Sequence, residues 1–126
     1  MTPKTAAQQV AEAKAQLENL TPDQVEAEVA HGAVLVDVRE DAECAACRIP
    51  GVLHVVRGML EFLADPASPR HLSQLDPARR IILHCASGGR SALAAMTLRQ
   101  LGYANVAHLD GGMQAWLAAG KPVTRG

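Results

Sequence analysis

IILHCASGGRS, residues 81–91, joins an apolar run to a short loop that contains two glycines. The run Ile81–His84 predicts a buried β-strand, and residues 90–101 continue with the periodicity of an amphipathic helix. Cys85 therefore lies where a strand ends, a loop turns and a helix begins. Units of this kind are typical of α/β folds, in which the sheet is mostly parallel.

Apolar strands and helical patterns alternate along most of the chain. We predict helices over residues 5–18, 22–30, 59–63, 90–101 and 112–119. We predict strands over residues 33–38, 52–56, 79–84 and 106–109. The alternation indicates an α/β fold with a small, mostly parallel sheet flanked by helices on both faces.

The composition fits one small domain. The chain has 126 residues, of which 48% are apolar, and its net charge of −1 arises from 12 basic and 13 acidic residues. This balance indicates neither a nucleic-acid partner nor a membrane partner. The N-terminus lacks the apolar core of a signal peptide and no run is long enough to span a bilayer, so we expect a cytoplasmic protein. Three cysteines, an odd number, argue against a disulfide framework.

The loop after Cys85 is suited to hold an anion. In a parallel sheet, ligands bind at the carboxyl ends of the strands, and Cys85 lies at such an end. The two glycines allow a tight loop, whose successive backbone N–H groups converge on an anion, and the arginine adds a permanent positive charge. These features predict that Cys85 is a nucleophile with a lowered pKa, for which no neighbouring general base is required. The predicted anion-binding residues are Ala86, Ser87, Gly88, Gly89, Arg90 and Ser91.

Four motifs of the chain resemble those of a known family. The string CASGGRS (85–91) is similar to the active loop of single-domain rhodanese-like sulfurtransferases, which often reads C-x-x-G-x-R-S. The strand motif LVDVRE (35–40), the turn IPG (49–51) and the stretch LDGGMQAWLAAGKPV (109–123) resemble the family's other motifs, in the same order. The resemblance covers about residues 20–123.

The resemblance implies a domain organisation and a reaction. A rhodanese-like domain is expected over residues 20–126, after an N-terminal helical extension over residues 1–19. In this family a cysteine thiolate, here Cys85, attacks a sulfane sulfur such as that of thiosulfate, sulfite leaves, and the cysteine becomes a persulfide. An acceptor then takes the terminal sulfur; it could be cyanide, glutathione, a thioredoxin-like protein or another sulfur-acceptor protein. No cofactor is predicted.

Two other functions use a similar loop. The first is a non-catalytic rhodanese module that binds a partner or senses redox state, and the intact cysteine and loop argue against it. The second is a cysteine phosphatase, in which five residues separate the cysteine from the arginine. Only four residues separate Cys85 from Arg90, so this loop is better suited to a single sulfur than to a tetrahedral phosphate.

Two further arginines follow predicted strand ends. Arg39 belongs to the D-x-R motif and is a candidate for adding positive potential near the loop, with a structural ion pair to Asp37 as the alternative. Arg57 is a candidate for lining the mouth of the site, and a solvated surface arginine is equally consistent with its position.

Cys44 and Cys47 form a C-x-x-C pair. A zinc site needs two more ligands, and the histidines are scattered along the sequence, so no metal site is predicted. The pair is interpreted as two incidental thiols. The alternative is that one of them resolves the Cys85 persulfide, releasing sulfide and leaving a disulfide.

Overall fold

A computed structural model describes residues 2–126. The strands are β1 (Glu18–Leu20), β2 (Val34–Asp37), β3 (Cys47–Arg48), β4 (Leu53–His54), β5 (Ile81–His84), β6 (Val106–Leu109) and β7 (Thr124–Arg125). The helices are α1 (Ala6–Ala15), α2 (Pro22–Ala30), α3 (Asp41–Ala46), α4 (Leu60–Ala64), α5 (Gly89–Gln100) and α6 (Gly112–Ala118). A 3-10 turn over Arg57–Met59 precedes α4.

The central sheet has five parallel strands in the order β1-β6-β5-β2-β4. Every residue of β5 and β6 is buried, as expected for strands covered on both faces. Ile81–Leu83 pair in register with Val106–His108, so the carboxyl ends of β5 and β6 lie side by side. The short strands β3 and β7 form a separate antiparallel pair.

Helices cover both faces of the sheet, because side chains of a strand alternate between its two faces. One core cluster joins Ile81 and Leu83 of β5 to buried residues of α4 and α5. The other joins Ile82 to Val25 of α2 and Trp116 of α6. Cys85 belongs to the first cluster and therefore lies on the face that α5 covers.

The N-terminal segment is packed against the domain. A capping box starts α1, since the Thr5 hydroxyl accepts a hydrogen bond from the Gln8 amide and the Gln8 side chain accepts one from the Thr5 amide. Leu17 packs against the core cluster on the α5 face. The three residues of β1 then pair with β6. Two of them, Glu18 and Asn19, belong to the segment that the sequence resemblance leaves outside the domain, so this segment contributes to the edge strand of the sheet.

The predicted architecture is confirmed, and the differences are local. The sequence patterns do not predict β1, β3 and β7, which have two or three residues each and are too short to show a period. Residues 39–47 are polar and irregular in sequence, a pattern compatible with a short helix, and they contain α3. Among residues 2–126, no helix is both long and apolar enough to cross a membrane.

Candidate active site

Cys85 lies between β5 and α5 at the base of a loop whose amides face its sulfur. The residue is 1% exposed. Its Sγ accepts hydrogen bonds from the backbone N–H groups of Gly88 at 3.1 Å and Ser91 at 3.4 Å. Gly88 is the N-cap of α5 and has a φ of +107°, a left-handed conformation that favours glycine. The loop can turn its amides inward because this position has no side chain.

The loop lowers the pKa of the Cys85 thiol. Burial alone raises that pKa, because it penalises the charged form. Hydrogen bonds from the hydroxyl and amide of Ser91 and from the amides of Gly88 and Ser87 favour the thiolate and outweigh burial. The site is therefore suited to a nucleophilic thiolate and to an anion attached to the same sulfur.

Arg90 carries its charge beside the loop, and an acidic residue partly neutralises it. Its guanidinium forms a bidentate ion pair with Glu43 of α3, with N–O distances of 2.7 and 3.0 Å. This pairing lowers the pKa of Glu43 to about 2, with the hydrogen bond from Arg90 as the largest cause. The sequence patterns did not identify Glu43, because it lies 47 residues from Arg90 in a segment with no clear periodicity.

The N-terminus of α6 holds the backbone of the cysteine loop. The amide of Met113 donates to the carbonyl of Cys85 at 2.8 Å, and the amide of Gln114 donates to the carbonyl of Ala86 at 3.0 Å. Gly112 makes this approach possible, because a Cβ at that position would lie 2.4 Å from the Cys85 carbonyl oxygen. The second glycine of the LDGG motif, Gly112, therefore positions the loop.

The predicted loop residues contribute in different ways. Gly88 and Ser91 bind the sulfur directly, while the side chain of Ser87 is exposed. Gly89 is the first residue of α5 and packs near Val10 of α1. Helix α1 thus touches the loop, a contact that the sequence did not predict.

A polar chain, buried except at its Asn19 end, leads away from Cys85. The Ser91 hydroxyl lies 3.6 Å from the Cys85 sulfur and 2.9 Å from Nδ1 of His108. Nε2 of His108 lies 2.7 Å from Oδ1 of Asn19. Neither His108 nor Asn19 was selected from the sequence, because 89 residues separate them and Asn19 falls in the predicted extension. Only the register of β1 beside β6, which pairs these two residues, brings them together.

Arg39 lies in a buried polar cluster and its charge is directed at a carboxylate. The residue is 4% exposed, and its guanidinium binds Asp37 at 2.8 and 3.1 Å and the carbonyl of Cys47 at 2.6 Å. His84 lies against the same carboxylate, with 3.4 Å between its Nε2 and Oδ2 of Asp37. Burial lowers the pKa of this histidine, so its ring is neutral near physiological pH.

Arg57 is held on the surface between two elements. Its guanidinium donates to Glu61 at 3.0 Å and to the Thr97 hydroxyl of α5 at 3.1 Å. These contacts tie the turn before α4 to the middle of α5, away from its N-terminal end. The structure therefore does not bring Arg57 into contact with the sulfur of Cys85.

The two other thiols occupy different environments. Cys44 is buried and its Sγ donates to Oδ2 of Asp37 at 3.2 Å. Burial and this contact raise the pKa of Cys44 to about 12, which makes it a poor nucleophile. Cys47 is half-buried and its backbone pairs with β7. Within residues 2–126, no cluster of histidine, cysteine and acidic side chains could hold a metal ion.

The geometry agrees with the comparisons to known proteins. The model of the rhodanese-like domain matches residues 21–119. The chain belongs to the rhodanese-like family. A sulfurtransferase of Allochromatium vinosum is 34% identical over 90 residues, which cover 71% of this chain and 77% of that protein. The thiosulfate sulfurtransferase GlpE of Haemophilus influenzae is 33% identical over 107 residues, which cover 82% of this chain and 91% of that protein.

Solved structures of other proteins share the fold. A Rhodopseudomonas palustris protein of unknown function, described as a possible tyrosine phosphatase, is similar with a TM-score of 0.87 and 36% identity, covering 98% of this chain and 97% of its own. The thiosulfate sulfurtransferase of Pseudomonas aeruginosa is similar with a TM-score of 0.77 and 29% identity, covering 96% of this chain and 22% of its own. This rhodanese-like chain therefore spans about a fifth of the Pseudomonas protein.

Proposed function

We propose that the protein is a sulfurtransferase that carries sulfur as a persulfide on Cys85. The observation that carries the proposal is the pair of amide hydrogen bonds from Gly88 and Ser91 to the Cys85 sulfur. Backbone donors on a fixed loop stabilise an anion with little reorganisation. A sulfur carrier needs this stabilisation twice, for the thiolate and then for the persulfide anion. The sulfurtransferase relatives support the same chemistry.

The reaction has two half-reactions. In the first, the Cys85 thiolate attacks the sulfane sulfur of a donor such as thiosulfate. A new S–S bond forms, the S–S bond of the donor breaks, and sulfite leaves with the electron pair of the broken bond. In the second, cyanide or a thiolate attacks the terminal sulfur, the persulfide bond breaks, and its electron pair returns to Cys85. This is covalent catalysis of the ping-pong type.

The position of the sulfur restricts the acceptor. Cys85 is 1% exposed, so an acceptor must bring its reacting atom to the base of the loop. Cyanide and small thiols meet this requirement, and a protein acceptor meets it when its thiol lies on an extended segment or a chain end. All three cysteines are free, which fits a reducing compartment, and a cytoplasmic location remains a prediction.

The loop geometry disfavours a cysteine phosphatase. Arg90 directs its guanidinium at Glu43, whereas phosphate binding needs it directed at the ligand. We therefore expect no turnover of a generic aryl phosphate. Turnover that depended on Cys85 would favour the phosphatase instead.

Intact-mass measurement after incubation with thiosulfate tests the proposed function. The wild-type protein should gain one sulfur atom, and cyanide should remove it again as thiocyanate. Cys85→Ser should gain none, whereas the matched control Cys47→Ser should behave as wild type. Sulfur gain by Cys85→Ser would refute the assignment. Failure of the wild type with several donors, despite rapid alkylation of Cys85, would favour the non-catalytic module.

A further inference from the structure

The chain Cys85–Ser91–His108–Asn19 runs from the sulfur to the N-terminal segment. Its distances are 3.6 Å from sulfur to the Ser91 hydroxyl, 2.9 Å from that hydroxyl to His108 Nδ1, and 2.7 Å from His108 Nε2 to Asn19 Oδ1. Cys85, Ser91 and His108 are buried, so water cannot cheaply replace the contacts among them, whereas Asn19 is exposed and holds the outer end of the chain.

Asn19 fixes which nitrogen of His108 carries the proton. The Asn19 Nδ2 group donates to the backbone carbonyls of Lys14 at 2.9 Å and Leu17 at 3.0 Å. With both amide protons used, Oδ1 faces His108 as an acceptor, so Nε2 of His108 must be the donor. Nδ1 of the neutral ring therefore carries a lone pair, and while Cys85 is a thiol the Ser91 hydroxyl donates to it. Once Cys85 is a thiolate, the same hydroxyl donates to the sulfur instead.

We propose that His108 accepts the proton of Cys85 through the Ser91 hydroxyl, and that Asn19 holds His108 in the tautomer that makes this possible. The thiol proton passes to the Ser91 oxygen while the hydroxyl proton passes to Nδ1. The S–H and O–H bonds break, a new O–H and an N–H bond form, and the electron pair stays on sulfur. The products are a thiolate and an imidazolium, with no change in total charge.

Three charged or titratable groups surround His108 in addition to Asn19 and Ser91. Lys14 of α1 disfavours the imidazolium and Asp110 after β6 favours it. The third group is Cys85 after β5, which is joined to His108 through the Ser91 hydroxyl and, as a thiolate, carries the charge opposite to that of an imidazolium. Nζ of Lys14 lies 3.2 Å from Asp110, so these two charges largely offset each other. Burial lowers the pKa of His108 and keeps its ring neutral until the thiol gives up its proton.

The inference gives the N-terminal segment a function. Asn19 lies before residues 21–119, which the rhodanese-like domain model matches. Its side-chain amide is held by the carbonyl of Lys14, in the last turn of α1. The segment is thus part of the site, because it supplies the group that orients His108. This inference rests on the proposed function, in which Cys85 is the nucleophile.

The pH profile of Cys85 alkylation is the first test. A coupled thiol and imidazole lose protons in two steps, so the wild-type rate should rise, level off and rise again with pH. His108→Asn keeps an oxygen acceptor for the Ser91 hydroxyl but has no basic nitrogen. It should remove the plateau and slow alkylation about a hundredfold near pH 6, the low end of what a positioned proton acceptor contributes.

Two variants of the N-terminal segment separate orientation from folding. Asn19→Ala removes the partner of Nε2 and should weaken the plateau. The control Gln16→Ala changes an exposed side chain one residue after α1 and should keep the wild-type profile. A plateau that survives in His108→Asn would overturn the proposal, because asparagine cannot accept a proton and the plateau would then not arise from His108. His108 would in that case only orient the Ser91 hydroxyl.

Nitrogen-15 NMR of histidine in the wild type is the second test and needs no variant of His108. At a pH inside the plateau, Nδ1 of His108 should be protonated in the wild type and unprotonated in Cys85→Ser. Equal signals in the two proteins would contradict proton transfer. Both tests omit a sulfur donor, so they are independent of the proposed function. If proton transfer to His108 is observed but thiosulfate loads no sulfur, the proposed function is refuted. If sulfur loads but no proton transfer is observed, only this inference is refuted.

Discussion

A methyl group added at Gly112 would have no room. The Cβ of an alanine would lie 2.4 Å from the Cys85 carbonyl oxygen and 2.7 Å from the carbonyl carbon of Ala86. These are backbone atoms of the cysteine loop, so no flexible side chain can move aside. Gly112 also has a φ of +54°, which alanine adopts with strain. Gly112→Ala should therefore displace the loop that holds the nucleophile.

The cost of this substitution can be worked out from the contacts. Ordinary contact begins near 3.4 Å, so relieving the 2.4 Å approach requires a shift of about 1 Å. That shift weakens or breaks the hydrogen bonds from the Met113 and Gln114 amides, at 2.8 and 3.0 Å, which contribute about 0.5–1.5 kcal/mol each. The left-handed conformation costs alanine a further 1–2 kcal/mol, approximately. The free energy of unfolding should fall by about 2–5 kcal/mol.

Gly120→Ala is the matched control. Gly120 has a φ of +72° but no atom within 4 Å of a built Cβ, so it carries the conformational cost alone, about 1–2 kcal/mol. Urea unfolding followed by the fluorescence of Trp116 measures both variants. Only Gly112→Ala should also slow the alkylation of Cys85. Equal losses of stability in the two variants, with unchanged alkylation, would refute the reasoning.

Three further predictions concern charge around the site. Ser91→Ala should raise the pKa of Cys85 and slow its alkylation by iodoacetamide at neutral pH, because it removes a hydrogen bond that favours the thiolate. Glu43→Gln should leave Arg90 unpaired and destabilise the protein near neutral pH. Because folding lowers the pKa of Glu43 to about 2, the ionised carboxylate stabilises the protein fully above the pKa that Glu43 has in the unfolded chain, and this stabilisation is lost as pH falls toward about 2. The stabilities of wild type and variant, measured by acid unfolding, should therefore converge there. Cys44 should resist alkylation near pH 9 in the native protein and react after unfolding, as read by peptide mass, because its pKa is raised to about 12.

The sequence predicts those parts of the fold that have a strong local pattern. The buried runs of β2, β5 and β6 have four residues each of almost wholly apolar or β-prone character, and their bounds lie within the predicted strands. Helix α2 begins at Pro22, the residue at which the sequence predicts it to begin, and the glycine-containing loop predicts the position of Cys85. These features depend on residues within a few positions of one another.

The remaining features depend on contacts between distant residues. Among the residues of α5, the periodicity of the large apolar side chains favours Leu93 as an inward residue, but Ala94 and Ala95 are fully buried instead, and Leu93 is half-buried. Local periodicity cannot show which small residues face the sheet. The Glu43 partner of Arg90 and the Asn19 partner of His108 are likewise set by how separate elements pack, which no spacing along the chain reveals.

The most direct test of the account is the ionisation of the Cys85 sulfur itself. Thiolate absorbance can be followed against pH in a Cys44→Ser, Cys47→Ser protein, in which Cys85 is the remaining thiol, and repeated after unfolding in urea. The account predicts that the folded protein forms the thiolate at a clearly lower pH than the unfolded chain, since amide and hydroxyl donors outweigh burial. Ionisation at the same pH or higher in the folded protein would contradict it.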